Sequence, residues 1–213
     1  MVLAASRSQL ERGPFDIAFQ TGETELLDML EWVVLSDLVS SCHFSKFLVA
    51  EVDGEPIGAL AAFDPGEPEF MPLGAALSDA YCGLGYDEAN LPAVMARIEA
   101  MSSCLPPAKP GTWIIEWVAV EPSHRRQGVC GQLMAKILAL GVGHGLSRTQ
   151  VSTYIGNDSA VAAYEKARFR VETRRRDQGF ESLLGVPGMV TMRGDLHEKN
   201  SRSDGARQTV PIV

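Results

Sequence analysis

The chain has 213 residues, 46% hydrophobic and 22% charged, with a formal net charge of -8, which is room for one well-filled domain and short for two. No apolar run approaches the length that crosses a bilayer, and the start, MVLAASRSQLERG, lacks the apolar core of a signal peptide, so a cytoplasmic protein with no membrane partner is expected. The negative balance argues against nucleic acid as a partner and mildly favours a cationic one.

Residues 1-14 read as an N-terminal arm ahead of a single domain over 15-196. Phe15 to Phe19 is predicted as a first strand. Glu23 to Ser40 carries Leu26, Leu27, Leu30, Val33, Val34 and Leu38 at the spacing of one or two amphipathic helices. Phe47 to Val52 and Ile57 to Phe63 flank Asp53-Gly54, a dipeptide that favours a tight turn, and are expected to pair antiparallel. The segment 64-111 is richer in Pro, Gly and Ala, with one helix near Asn90 to Met101 that Asn90 is placed to cap. Trp113 to Val120 is short, β-branched and aromatic, as a buried strand would be.

A basic loop follows. Arg125, Arg126 and Gly128 stand just before Val129, Leu133, Ile137 and Leu140, which recur at helical spacing, so a helix is predicted from Gly128 to about Leu140. Main-chain N–H groups at such a helix start have no intrahelical partner and lie at the positive end of the macrodipole, which suits a phosphate. No GxxxxGK[ST] is present, and GVGHGL at 141-146 has Leu146 where GxGxxG needs glycine, so nucleoside triphosphate and dinucleotide motifs are both absent. Further on, Thr149 to Ile155 reads as a strand and Asn157 to Phe169 as a helix. Phe169 to Arg175 and Gly188 to Leu196 are expected as closing strands, and 197-213 as a disordered tail. Cys42, Cys82, Cys104 and Cys130 are spaced for neither a zinc site nor a CxxC motif, so no metal is expected and the thiols read as free.

Two motifs together carry a resemblance. Arg125-x-x-Gly128-x-Cys130, preceded by V-x-V-x-P, resembles the pyrophosphate loop Q/R-x-x-G-x-G/A of the GNAT superfamily of N-acyltransferases. Asn157-x-x-Ala160-x-x-x-Tyr164-x-Lys166-x-Arg168-Phe169 resembles that family's N-x-x-A-x-x-x-Y-x-K-x-G-F helix, in the family's order and at a compatible distance. The resemblance implies an α/β (α+β) fold: a single domain whose central mixed, mostly antiparallel sheet is splayed in the middle, between the Trp113 and Thr149 strands, with helices on both faces. It implies an N-acyltransferase moving an acetyl or other acyl group from a coenzyme A thioester to a small-molecule amine, with acetyl-CoA the simplest donor. The segment 64-111, longer than the family's usual connection, then becomes the candidate wall of the acceptor pocket.

Direct attack on a thioester needs a base for the amine, a donor for the oxyanion and an acid for the thiolate. Glu116 interrupts the apolar run WIIEWVAV, and desolvation there raises a carboxyl pKa toward a useful value, so it is the candidate base or ammonium ligand; a structural carboxylate paired with arginine is the alternative. Asp177, Glu181 and Glu51 are fallbacks. By resemblance Tyr164 protonates the thiolate; by spacing alone it is a core tyrosine. Also by resemblance, Val118, Ala119 and Val120 present backbone groups to the pantetheine arm and acyl carbonyl, the Val118 N–H as oxyanion donor. Arg125, Arg126, Gln127, Gly128, Val129, Cys130 and Gly131 hold the pyrophosphate. Asn157 either caps its helix or touches the pantetheine arm, and His124 reads as a loop residue. Two positions depart from the family: Cys130 stands where Gly or Ala is usual and is placed to crowd the phosphates or to acidify at the helix start, and Arg168 stands where glycine ends the helix. Two other readings remain open, a non-catalytic CoA-binding module and a transferase with a longer or carrier-bound acyl donor. The oligomeric state is open as well, a homodimer included.

Overall fold

The computed structural model describes residues 1–196 and 211–212. In chain order it contains α1 (Val2–Arg7), α2 (Pro14–Phe19), α3 (Glu23–Leu35), β1 (Phe47–Val52), β2 (Glu55–Phe63), α4 (Leu73–Gly83), α5 (Leu91–Ser102), β3 (Thr112–Val120), α6 (Val129–Gly143), β4 (Arg148–Tyr154), α7 (Asp158–Lys166), β5 (Arg170–Arg176), α8 (Gln178–Leu184) and β6 (Gly188–Asp195).

One six-stranded sheet runs β1-β2-β3-β4-β6-β5, open at both edges. Every pairing is antiparallel except β3 with β4. That parallel pairing covers only Thr112↔Arg148 to Ile115↔Val151, whereas β4 stays paired to β6 as far as Tyr154↔Met189. Beyond Ile115 the sheet therefore parts, as expected, and residues 116–120 stay on β2 at one edge while the edge toward β4 opens on a cleft.

Each face of the sheet buries its own core. On one side, α1 to α5 and α8 contribute Phe15, Leu26, Met29, Leu30, Leu77, Tyr81, Val94, Met101 and Phe180. On the other, α6 and α7 contribute Val129, Leu133, Met134, Ile137 and Tyr164, packed on Trp113, Ile115 and Met192 of the strands. Contact between α6 and β3 is close at Gly141, where an added Cβ would lie 2.7 Å from the Trp113 ring. That ring is held by its Nε1–H, which donates to the Ile137 carbonyl at 2.9 Å. Among the described residues no helix is long and apolar enough to cross a membrane, and no group of three His, Cys, Asp or Glu side chains is placed to hold a metal.

The strand predicted at Phe15–Phe19 is a helix, α2. Pro14 occupies its first turn, and Asp16 accepts the Gly13 N–H at 2.8 Å and pairs with Arg7 at 2.7 Å, so local caps and a contact from α1 override a short apolar run. Within 1-14, α1 buries Val2 and Leu3. Asn90 precedes α5 without a side-chain cap; its amide donates instead to Asp87, at 3.2 Å. The predicted tail lies for the most part outside the described residues, but Pro211 and Ile212 do not hang free: the Pro211 carbonyl accepts the Glu51 N–H at 3.0 Å, and Ile212 bridges Ala50 on the outer edge of β1.

Candidate active site

The cleft is shaped by a bulge in β3. Trp113 and Ile115 belong to the α6/α7 core, and so do Val118 and Val120, whereas Trp117 packs in the opposite core. Alternation has slipped by one residue, and the pairing with β2 shifts at the same place, Ala61 facing Glu116 and Ala59 facing Ala119. Trp117 takes a left-handed φ of 55°, a conformation that costs a bulky residue about 1–3 kcal/mol. Its ring stacks on Phe15 at 5.6 Å, and its Nε1–H donates to the Ser41 hydroxyl at 3.4 Å. These tertiary contacts hold the bulge, and the bulge presents Glu116 and Trp117 in succession to the face under α4 and α5.

Around Glu116 lies a cavity of about 940 Å³. Glu116 lines it, half-buried, and desolvation raises its carboxyl from 4.5 to about 7, against a smaller opposing effect of the Ser41 hydroxyl. Among the described residues no arginine pairs with it. Val118, Ala119 and Val120 line the same cavity, beside Ser152 of β4. The Ser152 hydroxyl is buried without a partner among the described residues, an orphan that a ligand in the cleft would satisfy.

At the cleft's far end, α6 begins. A short 3₁₀ turn, Pro122–His124, leads into Arg126 at φ 62° and Gly128 at φ 90°; the left-handed Gly128 lets the chain turn into the helix. Arg125 bends back, its Nε–H donating to the Val120 carbonyl at 3.0 Å, and the Gln127 amide donates to the Ser123 carbonyl at 2.8 Å. The first helical bond is that of the Gln132 N–H to the Gly128 carbonyl. Among the described residues the N–H groups from Arg126 to Gly131 thus have no acceptor, six donors converging on one helix start. Main-chain N–H groups left without acceptors at a helix start suit a diphosphate. The Cys130 thiol is half-buried, and burial pushes its pKa up, opposite in direction to an acidified thiol.

Tyr164, on α7, is buried, borders the cavity and lies near Cys130. Burial drives its hydroxyl pKa far above the ordinary tyrosine value. Among the described residues that hydroxyl has no hydrogen-bond partner, so it stays neutral and free to donate a hydrogen bond to a ligand. The helix ends as the family pattern requires despite Arg168: that residue takes φ 68°, and the Phe169 N–H reaches back to the Tyr164 carbonyl at 3.0 Å.

Asn157 uses its whole side chain for structure. Its Oδ1 accepts the Ala160 N–H at 3.2 Å and the Ser159 hydroxyl at 2.9 Å, while Nδ2 donates to the Ser8 hydroxyl at 2.8 Å, which favours the cap. The fallback carboxylates are elsewhere: Asp177 caps α8 by accepting the Phe180 N–H at 2.7 Å, Glu181 is exposed on α8, and Glu51 lies on the β1 edge. His124 sits with its ring beside the Ser123 hydroxyl, 3.0 Å away, and does not line the cavity.

Three contributors carry no sequence signal. Ser41 comes from a loop remote in the chain, Trp117 matters through the bulge, and α1 lies across the open end of the cleft. There the Tyr154 hydroxyl donates to the Ser6 carbonyl at 3.0 Å, and Ala4, Ala5 and Ser8 join the cavity wall. From the segment 64-111, Leu73 and Leu77 of α4 and Ile98 and Met101 of α5 line the cavity.

A splayed sheet, a bulged strand at the split and a bare helix start thus meet at one cleft. The chain belongs to the acetyltransferase (GNAT) family, whose pattern matches residues 8–169. No curated protein matches it. Among solved structures, one described as an acetyltransferase shares 15% identity, covering 84% of this chain and 85% of that one with a TM-score of 0.59. An IAA acetyltransferase from Bacillus cereus shares 16% over 78% of this chain and 90% of its own, TM-score 0.46. The GNAT domain of S. lividans PAT shares 14% over 82% and 69%, TM-score 0.45. At 15% identity the first of these likenesses is one of fold.

Proposed function

We propose that the protein is an acyl-CoA-dependent N-acyltransferase, acetyl-CoA being the simplest donor, acting on the amino group of a small molecule by direct attack. The observation that carries this is the placement of Glu116: a carboxyl with a pKa of about 7, without a cationic partner, at the split of the sheet and in the same cavity as Tyr164. The donor fits the residues present. Arg126 to Gly131 would hold its pyrophosphate by main-chain N–H groups, and the unpaired edge of Val118 to Val120 its pantetheine arm.

The proton balance follows. The acceptor enters as an ammonium ion, drawn by ionised Glu116, which takes one proton directly or through water and frees the lone pair. A C–N bond forms at the thioester carbon, the Val118 N–H faces the oxyanion, and the C–S bond breaks as Tyr164 gives its proton to the leaving sulfur. The attacking nitrogen sheds its second proton as the tetrahedral intermediate collapses; that proton restores the Tyr164 hydroxyl through water, and Glu116 returns its own to solvent, so one proton is released per turnover. No enzyme nucleophile is involved.

The test is amine-dependent release of CoA thiol from acetyl-CoA by the wild-type chain, Glu116→Gln and Tyr164→Phe. Turnover in the wild type and its loss in both variants is the expected result. Tight CoA binding with no turnover on any amine would leave a CoA-binding module instead.

A further inference from the structure

The cavity's charge inventory narrows the acceptor. Among the described residues, the charged side chains on its wall are those of Glu116, Glu121 and Arg125. Glu121 and Arg125 both belong to the approach to the pyrophosphate loop, where Arg125 is bonded to the Val120 carbonyl. Among the described residues, the region under α4 and α5 therefore holds one charged side chain, the Glu116 carboxylate.

The surroundings of that carboxylate are apolar. Phe63 pairs across the sheet with Ile114, two residues before Glu116 on the same face of β3. Phe70 stacks on Phe63 with ring centroids 4.6 Å apart. Leu73, Leu77, Ile98 and Met101 close the same space from the helices. An amino acid would leave its carboxylate without a partner there, and a polyamine or aminosugar would leave extra ammonium groups unpaired, each a costly burial.

Resting on the N-acyltransferase reading, we propose that the acceptor is a lipophilic primary monoamine, its amino group at Glu116 and an alkyl or arylalkyl body of several carbons among Phe63, Phe70, Leu77, Ile98 and Met101. The apolar body belongs to the acceptor because the wall that receives it surrounds the carboxylate. The donor's handle is bound at the α6 end of the cleft.

The experiment is calorimetric titration of n-alkylamines from propylamine to hexylamine into the full chain saturated with CoA, with turnover of the same amines by acetyl-CoA measured in parallel. Each methylene buried among these side chains should tighten Kd about 4-fold. 1,6-Diaminohexane should bind at least ~10-fold more weakly than hexylamine, because its second ammonium meets no carboxylate. A flat series, or tighter binding of diaminohexane, glycine or an alanine-initiated tetrapeptide than of hexylamine, overturns the proposal. So does a gain in kcat/KM with acyl length, from acetyl-CoA to hexanoyl-CoA at fixed hexylamine, in place of one with amine length: the apolar space would then serve the donor. A steep Kd series without turnover upholds the pocket assignment and refutes the transferase reading, so the two fail separately.

Discussion

Replacing Glu116 by glutamine separates catalysis from stability, because the two should move in opposite directions. The carboxyl titrates at about 7 in the fold against 4.5 when solvated. Between those values the folded chain holds a proton that the unfolded chain has released, so stability falls as pH rises from 4.5 to 7. At about 1.4 kcal/mol per pH unit, the interval of 7 - 4.5 corresponds to about 3 kcal/mol lost by pH 8, an upper figure because the carboxyl faces an open cavity. Glutamine removes that loss. Thermal or urea unfolding at pH 8 should therefore show Glu116→Gln more stable than wild type by about 1–3 kcal/mol, with the difference vanishing near pH 4. Meanwhile kcat/KM, followed by thiol release, should fall about 10²- to 10⁴-fold, and the rise in wild-type kcat/KM through pH 7 should disappear. A variant that is destabilised at pH 8, or that keeps both its rate and its ascending limb, refutes the reasoning.

Other outcomes follow from neighbouring contacts. Tyr164→Phe should lose about 10²-fold in kcat with CoA affinity unchanged; because burial raises the wild-type hydroxyl, no descending limb from Tyr164 should appear below pH 10 in the wild-type profile. Asn157→Ala should cost about 1 kcal/mol by denaturant unfolding, as loss of a helix cap does, with KM for acetyl-CoA unchanged; a large rise in KM would revive a direct pantetheine contact. Gly141→Ala drives a methyl into the Trp113 ring and should destabilise by about 1–3 kcal/mol. In timed alkylation read by mass spectrometry, exposed Cys82 should react well before half-buried Cys130.

What was legible in the sequence was local. The α6 and α7 patterns carry their own periodicity and end signals, and the Asp53-Gly54 turn fixes the β1-β2 hairpin, so these elements and the motif residues on them fall where the spacing puts them. Five residues, Phe15–Phe19, do not distinguish a strand from a buried helical turn, and Arg7, which pairs with Asp16, lies outside that window. Helix α4 was hidden in a Gly- and Ala-rich stretch. It is held by burial of Ala76, Leu77, Ala80 and Tyr81, and by Trp32, whose Nε1–H donates to Asp79 at 2.9 Å. At the site, Glu116 was visible as a carboxyl in an apolar strand, but its setting was not. The bulge at Trp117 is a mismatch of register between β2 and β3, and Ser41 reaches it from a loop some seventy residues away in sequence.

The most direct test of the account is a crystal structure with acetyl-CoA bound. It should show pyrophosphate oxygens about 2.7–3.2 Å from main-chain nitrogens among Arg126 to Gly131, the acetyl group at the split beyond Ile115, and Glu116 no more than one bridging water from the place of attack. A pyrophosphate seated away from the α6 start, or Glu116 turned away from the thioester carbon, would contradict it.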